Sequence, residues 1–593
     1  MKAGGVGLDA ADSARAAGQF QAAEVHFTHV HDVLTRSRWF QLAGRFPWAG
    51  TQIRAGQDLT DMGVHLARVG RLLVDVSGSV LLPAAGATAG STAGSTPAPS
   101  PGTPPGKRIL DTLRQLDPKL NAVSGELDAV IADRQRIPST GLLPQLSNAV
   151  AQFDKKVNLG TIRDGLKKLR TDEPGIRALL GADGPRTYLV INQDPAELRA
   201  TGGFIGTVGF LSFDQGKMGP FNPVNIVSID KRPDGFTDVL GARGTPSHVD
   251  APYPLDYVFH LQSWELRDSN WSPDFPTAAR QAEFFLNRER AQQVDGVIAL
   301  DPFLIQRLLA IIGPVKIQQT GDVVDQNNFY AVTLHRRELG TEDVRNSFLP
   351  EASKQILTSV LTLPPSKWLA LLQALGASCD GRSLQAYFHD AAAADLVKRH
   401  NCSGEVLPST HDALMIVESN VGGNKDDFWM QRKYSLNITL RPDGSAQHTL
   451  HLHYHGLSSH GFPLTGRWGY TGWLRVYLPP SSTVTGIKGA SLTPTTELGH
   501  LVLQGWFYVQ FDTMADVIIE YDESPAVAGA DHALRLFWQK QAGRLGDPIT
   551  VDVNPPPGWK YRAATVGRSA VADGPISSDL AVDRDFTFEY RTG

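Results

Sequence analysis

Apolar and small residues recur at helical spacing through Phe20, Ala23, Val25, Phe27, Val30 and Val33, and the pattern returns over 59–76. These stretches predict two helices joined through the Phe46-Pro47-Trp48 turn. The tract 85–106 holds Gly, Ala, Ser, Thr and Pro with no large apolar side chain to bury, the composition of a linker. Beyond it, 109–120, 123–136 and 147–169 read as further helices punctuated by Pro138 and Pro144, so 1–84 and 107–180 form a helical array. From Thr187 the period shortens. TYLVINQ, TVGFLSF, VNIVSID and DGVIAL are apolar runs of strand type bounded by Gly, Pro or Asp, with helical patterns at 275–288 and 302–312 between the later ones. Strands alternating with helices predict a layered α/β core over 181–362, with functional loops at strand ends. A helical appendage and connector follows over 363–426, its helical pattern running through 366–399. After Asp427 only strand patterns remain: KYSLNITL, AQHTLHLHYHG, TGWLRVYLP, LVLQGWFYVQF, DVIIEYDES and HALRLFWQKQ at regular spacing predict an antiparallel β-sandwich over 427–562. The closing stretch 563–593 is polar, an extension that crosses another domain or frays. The expected fold class is multidomain α+β: helical array, central α/β core, C-terminal sandwich.

With 593 residues, 41% hydrophobic and 20% charged, the chain has material for several cores, which excludes wholesale disorder. Lys+Arg 56 against Asp+Glu 61 leaves a net charge of −5, without the basic excess of a nucleic-acid binder. No apolar run reaches the ~18–20 residues of a membrane span. Cys379 and Cys402 are the only cysteines, open to reading as one disulfide or as two unrelated buried thiols.

Candidate chemistry concentrates at the strand ends. Glu197 and Arg199 follow the first strand, then Gly202 and Gly203, which would let backbone approach a ligand while the arginine offers a planar fork to phosphate; a turn with a structural Glu–Arg pair is the plainer reading. Asp230, Lys231, Arg232 and Asp234 close the third run. Asp268, Asn270 and Asp274 precede the helix at 275, as cation ligands or as its N-cap region. Arg336, Arg337 and Arg345 could hold phosphate or form a solvated helix face. His451, His453 and His455 share one strand face, but same-face neighbours lie ~6.5–7 Å apart, awkward for three ligands on one tetrahedral ion, and a solvent face is the alternative. The turn 422–427 could bind a cation through its carboxylates or simply join domains. There is no P-loop, GxSxG elbow or HExxH helix.

The segments ELRATGGFIG, DSNWSPDFPTAA, VDGVIALDP with its trailing GPV, and ESNVGGNKDDFWMQR resemble the bacterial envelope family of the domain of unknown function numbered 4012. Its α/β core in turn resembles the LytR-CpsA-Psr phosphotransferases. Their Arg-Ser-Asp loop corresponds to Arg199-Ala200-Thr201, their Ser-Ile-Pro-Arg-Asp loop to 228–234, and their late Arg-x-Arg…Asp…Arg stretch to Arg336-Arg337…Asp343…Arg345. The resemblance implies an extracytoplasmic protein that binds, and in the transferases transfers, a lipid-linked pyrophosphoryl glycan to the cell wall. Arg199, Arg232, Arg336, Arg337 and Arg345 would hold phosphate, and Asp230, Asp234 and Asp268 would hold Mg²⁺, Asp230 and Asp234 being the catalytic carboxylates. It also implies a membrane anchor upstream of this chain and an oxidising compartment for a Cys379–Cys402 bridge. Thr201 stands where the transferases carry an aspartate, which motivates a second expectation, a non-catalytic envelope scaffold that binds glycans or proteins.

Overall fold

The computed structural model describes residues 10–81, 104–231, 238–261, 263–408, 411–457, 469–524, 527–528 and 532–592. Contacts divide the chain into two units, one built from residues up to Arg186 with 213–219 and 363–369, the other from the remainder.

The first unit is helical. Its long helices Ala10–Arg36 and Pro47–Leu81 run antiparallel, because Gly56, Gly63 and Gly70, seven residues apart on one face, receive Leu34, Phe27 and Phe20 where a Cβ would otherwise stand. Residues 105–136 form one helix, Pro105–Arg136, rather than two: Leu120 and Val123, three apart, face the same core with Val69, Leu113 and Leu127. The helix expected over 147–169 divides into Pro144–Lys156 and Leu159–Leu179, where the Asn158 side chain accepts from the Thr161 N–H and starts the second. Most of the linker lies outside the described residues. Among the described residues no helix is long and apolar enough to cross a membrane.

In the second unit, the strand Arg186–Asp194 pairs in parallel with Gly296–Leu300 and lies next to Phe204–Asp214 in the central sheet. Helix Phe275–Arg290 buries Phe275, Ala279, Ala282 and Phe285 with Leu189, Ile191 and Val297. Two segments depart from their patterns. VNIVSID keeps only the short strand Val224–Asn225 before a helical turn, Val227–Asp230, because its core-facing residues Ile226 and Ile229 are three apart, not two. The helical appendage contains a strand, Leu384–Phe388, paired antiparallel to Gly296–Leu300 at the sheet edge, between helices Trp368–Asp380 and Ala391–Arg399.

A disulfide joins Cys379, in helix Trp368–Asp380, to Cys402, just past the end of helix Ala391–Arg399, with Cα atoms 4.5 Å apart. Closing a loop of 23 residues' separation restricts the unfolded chain. Cys402→Ser should therefore lower the unfolding free energy by about 3 kcal/mol. Denaturant titration of the variant should match that of the unmutated protein under reductant; overlap of the variant with the oxidised protein would refute the effect.

The β-rich part starts earlier than expected and ends later. Strand Asp412–Asn420, buried along its whole length, sits in the middle of a sheet although the pattern placed it in a connector. The polar extension is not loose, since Arg584–Thr592 pairs with Ala533–Gln539 and Trp559–Val566 and buries Phe586, Phe588 and Tyr590. A six-stranded and a nine-stranded sheet enclose one core containing Leu436, Leu450, Leu474 and Trp538. The sheets are mixed rather than purely antiparallel: Met430–Leu440 pairs in parallel with Pro548–Asn554, and Asp412–Asn420 with Ala533–Gln539.

Candidate functional site

Where the first strand of the central sheet ends, charged side chains from four segments pair off. Asp194 caps the turn Pro195–Glu197, accepting from the Ala196 N–H at 3.0 Å, while Lys425 Nζ lies 3.0 Å and Arg337 Nη1 3.9 Å from its other oxygen. Burial would raise the Asp194 carboxyl, but these cations outweigh it and hold the group below the usual carboxylate range. Lys425 also reaches Glu197 at 3.4 Å. Arg199 is 2% exposed; its Nη2 donates to Glu197 at 2.8 Å and lies 3.5 Å from Asp268, and its Nη1 donates to the Asn420 carbonyl at 2.6 Å. Asp427 accepts from the Leu198 N–H at 3.1 Å and from Arg432 at 2.6 Å, which closes the chain of pairs against the β-rich sheets.

This arrangement corrects several expectations. Arg199 turns both terminal nitrogens of its fork to protein groups, two carboxylates and a carbonyl, rather than to an open strand-end pocket. Gly202 and Gly203 do permit close approach, but to protein: a Cβ on Gly203 would stand 2.3 Å from the Asp194 carbonyl, and Gly202 holds a φ of +133° with Gly543 packed on it. Thr201 is fully buried and accepts from Gln193 Nε2 at 2.7 Å. Asp268 faces Arg199, and Asp230 faces Arg267 Nε at 2.8 Å with no exposure, so a guanidinium stands against each of these two carboxylates. Asp274 is the N-cap of helix Phe275–Arg290, accepting from the Thr277 N–H, and Asn270 donates to the Gly203 carbonyl at 2.8 Å. Arg336 makes a two-pronged pair with Asp322 at 2.7 and 2.8 Å, whereas Arg337 points the other way, toward Gly206 and Asp194. Arg232, Asp234 and the Arg345 side chain lie outside the described residues.

Ligands of α/β sheets normally settle at the carboxyl ends of parallel strands. Here that space, lined by Asp194, Asp301, Tyr330 and Arg337, amounts to about 20 Å³, room for one water. Asp301 is spent on capping helix Pro302–Ile312 through the Phe303 and Leu304 N–H groups.

A larger cavity, about 690 Å³, opens beside it between the Pro195 turn, the start of that helix, residues 427–433 and residues 543–548. Phe303, Tyr330 and Phe428 form an aromatic wall in successive edge-to-face contacts at 5.6 and 5.4 Å. The opposite wall belongs to the six-stranded sheet, whose alternation sends Arg432 inward to Glu418 and Asp427 and turns Gln431 and Lys433 outward. His453 and His455 line the same wall. Arg544 is engaged by Asp547, so Lys433 is the lining cation without an ion pair among the described residues. Sequence reading missed Lys433, although QRKYSLNITL places it out of phase with the buried residues.

The chain is thus a mixed α+β protein in which the sheet-end charges are closed and an amphipathic cavity lies at the junction with the β-rich sheets. Residues 183–337 match the family model described as Protein of unknown function (DUF4012), a match that takes in Asp194, Arg199, Asp268 and Arg337 and supports that family for this segment. No curated protein matches the chain. Solved structures with partial likeness include a candidate nutrient-binding protein from Legionella pneumophila, at 10% identity and TM-score 0.21 over 31% of this chain and 71% of that one. An M1 zinc metallopeptidase from Deinococcus radiodurans is similar at 10% identity and TM-score 0.15, over 27% of this chain and 38% of that one. Scores this low carry neither fold nor activity across.

Proposed function

We propose that the protein is a non-catalytic binding component of the bacterial cell envelope that holds an anionic, lipid-linked glycan in the 690 Å³ cavity. The cavity carries this reading. Its volume suits a small oligosaccharide headgroup, its aromatic wall offers faces for sugar C–H groups, and Lys433 with His453 and His455 offers donors to phosphate. Binding is favoured over transfer because three of the residues invoked for phosphoryl chemistry, Arg199, Asp230 and Asp268, are paired with one another or with Arg267 and Glu197 rather than aimed at a reacting phosphorus. The disulfide between the two cysteines supports a compartment more oxidising than the cytosol, and the family resemblance supports the envelope.

Calorimetric titration with a short-chain polyprenyl pyrophosphate disaccharide, with and without Mg²⁺, tests the reading. Saturable binding is expected without Mg²⁺, weakened about tenfold by Lys433→Ala and by Phe428→Ala. No saturable binding at any Mg²⁺ level would overturn the proposal, and binding indifferent to both substitutions would remove the cavity from it.

A further inference from the structure

We propose that His451, His453 and Asp516, on the outward face of the six-stranded sheet, bind one divalent transition-metal ion of the Zn²⁺ class. Along Ala446–Gly456 the odd-numbered histidines face solvent while Leu450, Leu452 and Tyr454 face the core. Three imidazoles from one strand would be too far apart to share an ion. The third donor comes instead from the neighbouring strand Thr513–Glu523, whose register sets Asp516 directly opposite His453.

Both rings already converge on that residue. His451 Nε2 lies 2.8 Å and His453 Nδ1 2.6 Å from the same oxygen, Asp516 Oδ1, with ring planes at 89° and centroids 6.3 Å apart. All donor atoms fall within 4.8 Å of one another. A tetrahedral ion with bonds of about 2.0–2.1 Å holds its donors roughly 3.4 Å apart, so side-chain rotation alone brings the three into place. Each ring would bind as the neutral tautomer, offering the lone pair of the nitrogen that faces Asp516 to the metal while the other ring nitrogen carries the single proton. Two imidazoles and one carboxylate suit Zn²⁺, Co²⁺ or Fe²⁺ better than Mg²⁺ or Ca²⁺. The two histidines are half-buried and Asp516 is exposed, which leaves the remaining coordination position open to solvent, beside the cavity that His453 also lines.

The site shares His453 with the cavity but does not rest on the glycan reading, and the test separates the two. The full chain, free of any affinity tag and stripped with chelator, is titrated with Zn²⁺ by calorimetry and with Co²⁺ by visible absorption. One equivalent should bind, and Co²⁺ should develop the intense band of a four-coordinate ion. His451→Ala and His453→Ala should each weaken Zn²⁺ about 100-fold, and Asp516→Asn about tenfold, with unchanged denaturant midpoints because the side chains are surface groups. Lys433→Ala should leave Zn²⁺ affinity intact. Absence of saturable Zn²⁺ binding, or affinity unchanged in His453→Ala, would overturn the site.

Discussion

Arg432→Leu is expected to lower the unfolding free energy of the second unit by roughly 3–5 kcal/mol, measured as a fall in urea midpoint at neutral pH. The guanidinium is fully buried and donates to Glu418 Oε2 and to Asp427 Oδ1, both at 2.6 Å. Tyr434 and Tyr454 donate to the other Glu418 oxygen at 3.0 and 2.9 Å, and the Tyr470 ring lies 5.5 Å from the guanidinium carbon. Leucine would remove the cation and leave two buried carboxylates with neutral donors only, among them the Tyr434 and Tyr454 hydroxyls on Glu418 and the Leu198 N–H on Asp427, which costs far more than the lost attraction alone. Lysine should rescue little, since one ammonium cannot reproduce a fork that serves two separate carboxylates. Adding Glu418→Gln to Arg432→Leu should recover part of the loss by removing one stranded charge, a non-additivity that marks a shared network. A single-variant loss below about 1 kcal/mol would show that the network contributes nothing beyond its neighbours.

The hydrophobic period revealed most of the frame. Strict alternation in Met430–Leu440 and Ala446–Gly456 announced two strands, and the apolar runs TYLVINQ and DGVIAL announced the parallel pair at the centre of the α/β sheet. The edge strand Leu384–Phe388 escaped because its five residues adjoin the Ala-rich helix Ala391–Arg399, and only pairing with Gly296–Leu300 decides its state. The strand-end charges were visible as residue types, but not their partners. Arg199 meets Asp268 and the Asn420 carbonyl, and Asp427 meets the Leu198 N–H, across 69, 221 and 229 residues of chain. Arg199 and Arg336 therefore read as members of a phosphate clamp, whereas the structure pairs the first with Glu197 and the second with Asp322. One signal was available: Glu418 lies inside the apolar run ALMIVESN, where a carboxylate requires a buried partner. The His-x-His pattern was equally legible, yet its carboxylate, Asp516, becomes a neighbour only through the strand register.

Glu265→Gln is expected to raise the thermal midpoint at about pH 8.5 and to leave it unchanged at about pH 4. Glu265 is one of several carboxyls gathered around Arg267: Asp230 at 2.8 Å from Nε, Asp238 at 3.4 Å from Nη2, and Glu265 on that same Nη2. Lys231 pairs with Asp238, and Glu289 accepts from the Leu266 N–H at 3.1 Å. One arginine cannot neutralise so many carboxylates away from water. Burial pushes the Glu265 carboxyl up to about 8, with Arg267 opposing and Asp230 and Asp238 reinforcing, and burial pushes Glu289 up to about 7. The unfolded chain ionises these groups near 4.5, so between that pH and about 8 it releases protons that the folded chain keeps. Their contribution to stability is therefore fully present below 4.5 and is lost as the pH rises through the folded values. Glutamine keeps the neutral form at every pH. Each pH step between the unfolded and folded ionisation points is worth about 1.4 kcal/mol, and solvent screens part of that, so the gain should be on the order of 3 kcal/mol at about pH 8.5, diminishing toward pH 4. Equal midpoint shifts at both pH values would mean that the introduced amide packs differently rather than avoiding a charge, and a lower midpoint at the alkaline end would show that Arg267 depends on the Glu265 carboxylate more than burial penalises it.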